Sequence, residues 1–241
     1  SFINRDNFKR KKIKNLRSKT VMVTGAAGSI GLEICNQLIY QKAKRIIAVD
    51  QSEINIYSSI NKFNKKINFY LGNLNNYEFI DNLIKKNNVD LIIHAAAYKH
   101  VNILEKNPIS AIHNNIIVTD KICDIALKNN CNFILISTDK AAEPTTVLGY
   151  TKKISELLVI LYRNKLKKNK FFNIVRFGNV FGSSGSAIIK FIDQINNNEP
   201  VTITHKRASR YFMTILEASY LVLETTGLKL KNKIFVLNMG K

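Results

Sequence analysis

Short continuous apolar runs alternate along this chain with stretches whose apolar residues recur at helical spacing, and that alternation constrains the fold most. The runs are TVMVTG (20–25), RIIAVD (45–50), INFYLG (67–72), VDLIIHAAA (89–97), NFILIST (132–138) and FFNIVRFGNV (171–180). Helices are expected between them at 29–41, 53–62, 77–87, 108–129 and 149–168. A strand that is apolar at every position must be covered on both faces, and the intervening helices supply both the cover and the crossover that parallel strands require. The pattern predicts a doubly wound α/β fold of Rossmann type with a parallel sheet. With 46% apolar residues in 241, the chain can build one sizeable core. Beyond Gly178 the alternation loosens into a Gly/Ser-rich loop, PVTITH (200–205), a helix near 215–226 and KIFVLNM (233–239), read as a small, truncated C-terminal substrate lobe. The expected organisation is a basic lead over 1–18, a nucleotide-binding domain over 19–177 and a partial substrate lobe over 178–241.

In such sheets ligands bind beyond the carboxyl ends of the strands, so the loops at 25–29, 50–53, 95–100, 137–148 and 177–186 should converge. The first of them carries TGAAGSIG, with Gly25, Gly28 and Gly31 directly after a strand and opening a helix. Gly25 makes the tight turn, Gly28 lets a pyrophosphate reach backbone N–H groups near Ser29 and Ile30, and Gly31 packs helix on strand. Asp50 ends the second strand, placed to accept from adenosine ribose hydroxyls and to repel a 2′-phosphate. NAD is expected over NADP, with Ala95, at the end of the fourth strand, as a further cofactor contact.

The formal charge of +20 would suit a polyanion, but the lysines are scattered and no aromatic-plus-basic motif or finger spacing accompanies them. No nucleic-acid partner is expected; a basic surface suits an anionic small substrate. Cys35, Cys123 and Cys131 lie in apolar or helical segments at spacings that fit neither a disulfide framework nor a zinc site, so they read as reduced core thiols of a cytoplasmic protein, and no metal is expected. No apolar run of about 18 residues and no signal peptide is present, so no membrane insertion is expected of this stretch. The chain starts at Ser1 without a methionine and stops just after a strand-like run, which reads as a fragment of something longer.

The GxxGxxG spacing together with the helix bearing Lys152 resembles the extended short-chain dehydrogenase/reductase superfamily. Four further segments, AAAYKHVNILEKNP (95–108), STDKAAEPTTVLG (137–149), VRFGNVFGSSGS (175–186) and SRYFMT (209–214), resemble the CapD-type polysaccharide-biosynthesis family. The likeness runs from about Lys19 to the last residue. It implies an NAD-dependent UDP-N-acetylglucosamine 4,6-dehydratase feeding surface glycans, working as a homo-oligomer. GSIG (28–31) and the lack of a tyrosine at Leu148 are similar to the long members, in which a connector like the basic lead joins a membrane domain. The resemblance therefore places the parent chain at the cytoplasmic face of the inner membrane.

That chemistry oxidises carbon 4 of the hexose, removes the acidified proton from carbon 5, protonates the departing carbon 6 hydroxyl and reduces carbon 6. Asp139 and Lys140, adjacent at a strand end, can serve as an acid/base pair or form a solvated ion pair. The resemblance assigns Asp139 as the acid and Lys140 as the base, each with a pKa displaced by burial. Lys152 would hold the nicotinamide ribose. Thr138 either meets the carbon 4 hydroxyl or merely caps the strand end. Asn179, Ser183, Ser186 and Arg210 resemble the family's diphosphate and uridine contacts, although Arg210 also reads as a surface charge. By the same likeness Lys99 and His100 point into the cleft, and Asn73 replaces an Asp that commonly contacts adenine. His94, His113 and His205 carry no assigned role beyond structure. Two rivals stand beside the dehydratase: a UDP-sugar 4-epimerase, and an inactive NAD-binding scaffold signalled by the missing phenol. Tyr150 lies about 200° from Lys152 around a helix and cannot supply that phenol.

Overall fold

The computed structural model describes residues 10–13, 15–63, 66–183, 187–203 and 210–239. Ser186, His205 and the first nine residues of the basic lead lie outside the described residues.

Seven parallel strands form the central sheet: β1 (Thr20–Thr24), β2 (Arg45–Asp50), β3 (Asn68–Leu71), β4 (Leu91–His94), β5 (Asn132–Thr138), β6 (Phe172–Phe177) and β9 (Ile234–Val236). Their order is β3-β2-β1-β4-β5-β6-β9, so the direction of winding reverses between β1 and β4. Two short strands, β7 (Asn179–Phe181) and β8 (Phe212–Thr214), pair parallel as a separate ribbon.

Consecutive strand residues alternate faces, and here both faces are dry. Val21, Val23, Ile46, Ala48, Ile93, Ile134 and Val175 pack on the side of α1 (Ser29–Tyr40) and α9 (Ile215–Glu224). Met22, Ile47, Val49, Ile92, Phe133, Leu135 and Ile174 pack on the side of α3 (Tyr77–Asn87), α6 (Val118–Lys128) and α7 (Val147–Arg163). The doubly wound Rossmann-type fold is therefore present. Local signals fix the bounds of α3: Asn76 accepts from the Phe79 N–H at its start, and Asn88 takes a left-handed conformation at its end with φ 49°.

Four segments depart from the expectation. The long helix expected over 108–129 is preceded by α4 (Val101–Lys106) and opens as α5 (Pro108–Ala111), then widens into a π-helical turn at Ile112–Ile117 before α6. Asn115 lies in that turn: its side chain binds both Tyr98 N and Tyr98 O, and its carbonyl accepts from the Thr119 and Ser155 hydroxyls. FFNIVRFGNV divides at Gly178 into β6 and β7. Residues 187–196, expected to be loosely ordered, form α8 (Ala187–Asn196), and 201–203 are irregular. Finally KIFVLNM, assigned to the second lobe, supplies β9, which continues the main sheet beside β6, while α9 packs on α1. The edge of the main sheet thus lies beyond the boundary drawn at residue 178.

The end of the basic lead is docked on the domain. Gln41 donates to Lys11 O at 2.9 Å and accepts from Ile13 N at 2.9 Å, while Ile13 and Leu16 are buried in the core. No helix among the described residues is long and apolar enough to cross a membrane.

Candidate active site

A cavity of about 660 Å³ opens beyond the carboxyl ends of β1, β2, β4, β5 and β6, where the winding reverses. Its wall includes Gly25, Gly28, Ser29, Ile30, Gly31, Asp50, Asn73 and Ala95 on one side. Lys99, His100, Thr138, Lys140, Lys152, Asn179, Ser183 and Arg210 line the rest. The five loops expected to converge do so. Asp139 is not part of the wall, though its carboxylate lies close to it, approaching Gly178.

The glycine turn is shaped by contacts that exclude a side chain. Gly25 has φ +63°, and a Cβ there would lie 2.7 Å from Ala96 Cα. A Cβ on Gly31 would lie 2.1 Å from Gly25 O, so this helix can meet the strand this closely only at glycine. α1 opens at Gly28 without a side-chain cap. Asp50 braces the same turn: one carboxylate oxygen accepts from Ala27 N at 3.0 Å, the other from Ser52 N at 2.9 Å. Each oxygen keeps a lone pair for a further donor. Asn73 is exposed and its side-chain oxygen accepts from Asn75 N, leaving the amide hydrogens for a ligand.

At the other end, β5 runs into a single 3₁₀ turn, Asp139–Ala141. Thr138 donates its hydroxyl to Asp139 Oδ1 at 2.8 Å, and Lys140 reaches the same oxygen through its backbone N–H at 2.8 Å and its Nζ at 3.0 Å. Burial pushes the Asp139 carboxyl up, but the hydrogen bonds from Lys140 and Thr138 outweigh it and hold the group below its ordinary value. This corrects the expected upward displacement: Asp139 is held as a carboxylate beside Lys140, the two side chains 55% and 37% exposed respectively.

Lys152 stands on α7 at the cavity wall. It is 5% exposed, and burial lowers its pKa to about 8 against the opposing pull of Glu156. Lys99, open to solvent on one flank, is also lowered by burial in the cavity wall. Leu148 lines the cavity and packs with Leu104 and Ala111. Tyr150 is 55% exposed and outside the wall.

Sequence reasoning left His94 as structural, and its surroundings explain why. The Thr119 hydroxyl is spent on Asn115 O, so His94 Nε2–H donates to Thr119 at 3.1 Å and Nδ1 accepts from Thr24 at 2.8 Å. Burial, then the charge of Lys152, lowers its pKa to about 3, which keeps the ring neutral. Glu156, Arg176 and Ser137 were missed. Only the four-residue step from Lys152 to Glu156 hinted at them.

The model of the polysaccharide biosynthesis protein family matches residues 21–241. The chain belongs to that family. Among its relatives, probable polysaccharide biosynthesis protein EpsC of Bacillus subtilis is 43% identical over 94% of this chain, and capsular polysaccharide biosynthesis protein CapD of Staphylococcus aureus is 42% identical over 95%. This chain spans only 39% of each. A UDP-glucose 4-epimerase of Rickettsia bellii is 35% identical over 90% of this chain and 65% of its own length. Of solved structures, Pen from Bacillus thuringiensis superposes with a TM-score of 0.88 at 32% identity, over 93% of this chain and 70% of its own. The motif resemblance to the polysaccharide-biosynthesis family is thus borne out.

Proposed function

We propose that this chain is the catalytic domain of an NAD-dependent nucleotide-sugar 4,6-dehydratase acting on a UDP-N-acetylhexosamine. The observation that carries the reading is the hydrogen-bonded Thr138–Asp139–Lys140 set at the rim of a cavity that also holds Lys152.

The glycine turn fits a dinucleotide: a Cβ at Gly25 or Gly31 would collide with backbone, and Gly28 leaves the helix terminus open for a pyrophosphate. Asp50 would take the adenosine ribose, its spare lone pairs meeting hydroxyls and repelling a 2′-phosphate; Lys152 would hold the nicotinamide ribose. When bound, the cofactor supplies reversible oxidation at carbon 4 and reduction at carbon 6.

The remaining steps belong to this chain's own residues. Thr138 donates to Asp139, so its oxygen accepts the carbon 4 O–H; the proton passes through Thr138 to the ionised Asp139 carboxylate as carbon 4 is oxidised. Asp139, now protonated, returns that proton to the carbon 6 hydroxyl as it leaves as water. Lys140, whose Nζ lies 3.0 Å from that carboxylate, would enter this step as the free amine, its ammonium proton released to solvent as the sugar binds; it then takes the carbon 5 proton and later gives it back. The low pKa of Asp139 thus suits a carboxylate that collects its proton during turnover instead of holding one beforehand. Lys99, His100, Asn179, Ser183, Ser186 and Arg210 would bind the nucleotide sugar.

The test is incubation with UDP-N-acetylglucosamine and mass measurement of the product. Loss of one water supports dehydration. An unchanged mass with inversion at carbon 4 supports the epimerase reading, which the Rickettsia relative favours. An unchanged sugar leaves the scaffold.

A further inference from the structure

Glu156 has no part in the steps above, yet it is 1% exposed and heavily engaged. Its carboxylate accepts from Ser137 Oγ at 2.5 Å, Arg176 Nε at 2.8 Å and Arg176 Nη2 at 2.5 Å. Ser137 and Arg176 are direct partners in the β5–β6 register. Lys152 lies one turn earlier on α7, on the same face. A single side chain therefore ties together the helix bearing Lys152, the strand that continues into Thr138–Lys140, and the strand that runs on to Gly178 and Asn179. A buried ion pair is a poor way to gain stability, because removing two charges from water offsets most of their attraction, so its presence here calls for a different benefit.

We propose that Glu156 is a positioning residue of the reaction site, fixing Lys152 relative to the Thr138–Asp139–Lys140 turn through Ser137 and Arg176. Only the turnover arm of its test rests on the dehydratase reading. The charge of Glu156 also reaches Lys152, raising its pKa against burial. Charged or titratable groups that line the same cavity as Lys152 are Asp50 on β2, Tyr98, Lys99 and His100 after β4, Lys140 after β5, and Arg210; neutral His94 on β4 feels the Lys152 charge, Arg176 on β6 pairs with Glu156, and Asp139 pairs with Lys140.

The experiment reads Lys152 directly, as the pH midpoint of its labelling by acetic anhydride in the cofactor-free protein, by peptide mass spectrometry. In Glu156→Gln the buried Arg176 is left without a counter-charge, so the midpoint should fall by about one pH unit; in Arg176→Met the anion is left unpaired, and the midpoint should rise by a similar amount. Shifts of opposite sign show that both charges of the pair act on Lys152; the positioning role is read from turnover in Glu156→Asp and Ser137→Ala. Glu156→Asp keeps the charge but shortens the reach: its midpoint should stay near wild type while kcat for water loss falls about tenfold or more with little change in KM. Should the charge variants fail to fold, Ser137→Ala keeps the ion pair and removes one strut, and is expected to lower kcat at an unchanged midpoint. Folded Glu156→Gln and Arg176→Met proteins with an unmoved midpoint, or full turnover in Glu156→Asp or Ser137→Ala, would overturn the proposal. If the wild type dehydrates nothing, NAD affinity in Glu156→Asp and Ser137→Ala takes the place of turnover: affinity lost at an unmoved midpoint supports positioning, and wild-type affinity overturns it.

Discussion

Replacing Lys152 with methionine should stabilise the cofactor-free protein while removing its function. The Lys152 ammonium sits 5% exposed, and burial lowers its pKa from 10.5 to about 8. At about 1.4 kcal/mol per pH unit, that gap corresponds to about 3 kcal/mol by which the folded state disfavours the charged lysine. Below pH 8 both the folded and unfolded chains carry the proton, and the folded state bears the whole penalty. Between about 8 and 10.5 the folded chain releases its proton first, so the unfolded state binds more protons and stability rises with pH. Methionine has a similar length and no charge. Lys152→Met is therefore expected to gain up to about 3 kcal/mol at pH 7, shrinking to about 1 kcal/mol near pH 9.5. Urea unfolding at the two pH values, without cofactor, measures the gain. If Lys152 holds the nicotinamide ribose as proposed, titration of NAD into the same variant should show affinity lost by up to about 100-fold, the range of one charge-assisted contact. A gain that does not vary with pH, or a variant less stable than wild type at pH 7, would refute the reasoning.

Gly25→Ala should cost about 2–4 kcal/mol in unfolding experiments and abolish NAD binding, because the new Cβ meets the Ala96 backbone at a positive φ. Asp50→Ala should weaken NAD more than NADP in parallel titrations; an unchanged ratio would remove Asp50 from the ribose. Lys140→Ala should bind NAD normally yet lose no water from the sugar, and wild-type product formed in deuterated water should carry deuterium at carbon 5. Tyr150→Phe should change turnover by less than about tenfold, or about 1.4 kcal/mol, since that phenol faces solvent; a folded, NAD-binding but dead variant would show otherwise.

The sheet and its ligand-binding end were legible because they rest on local pattern. Strands buried on both faces read as unbroken apolar runs, and Gly25 and Gly31 sit where no side chain fits, so both are written in nearby residues. What could not be read depends on contacts between distant parts of the chain. β9 belongs to the main sheet only because β6 offers an edge some sixty residues earlier, Ile174 pairing with Ile234. The π-helical turn at Ile112–Ile117 accompanies the hold of Asn115 on the Tyr98 backbone and the Ser155 hydroxyl, neither of which helical spacing reveals. The Ser137–Glu156–Arg176 cluster escaped for the same reason. Asp139 is the instructive case: its position was read correctly, but its ionisation was not, because proximity to Lys140 and Thr138 outweighs burial at the open rim of a cavity.

That outcome bears on the absent phenol. In a site built around a tyrosine, the phenol and the neighbouring lysine handle the carbon 4 proton together. Here position 148 is an apolar side chain packed on Leu104 and Ala111, which offers no proton and leaves no polar atom to be satisfied once substrate excludes water. The proton then needs another acceptor near carbon 4, already ionised before chemistry starts. Asp139 would meet that requirement because Lys140 and Thr138 hold its pKa down, and in the mechanism proposed above the Thr138 hydroxyl would connect it to the sugar. A raised Asp139 pKa would suit only the later protonation of carbon 6; a lowered one suits both steps, provided the same proton is used twice. On the dehydratase reading proposed above, leucine at 148 and an ionised Asp139 would be two halves of one arrangement, the carboxylate taking over the work of the phenol and the hydrocarbon wall keeping a second acceptor out of the way.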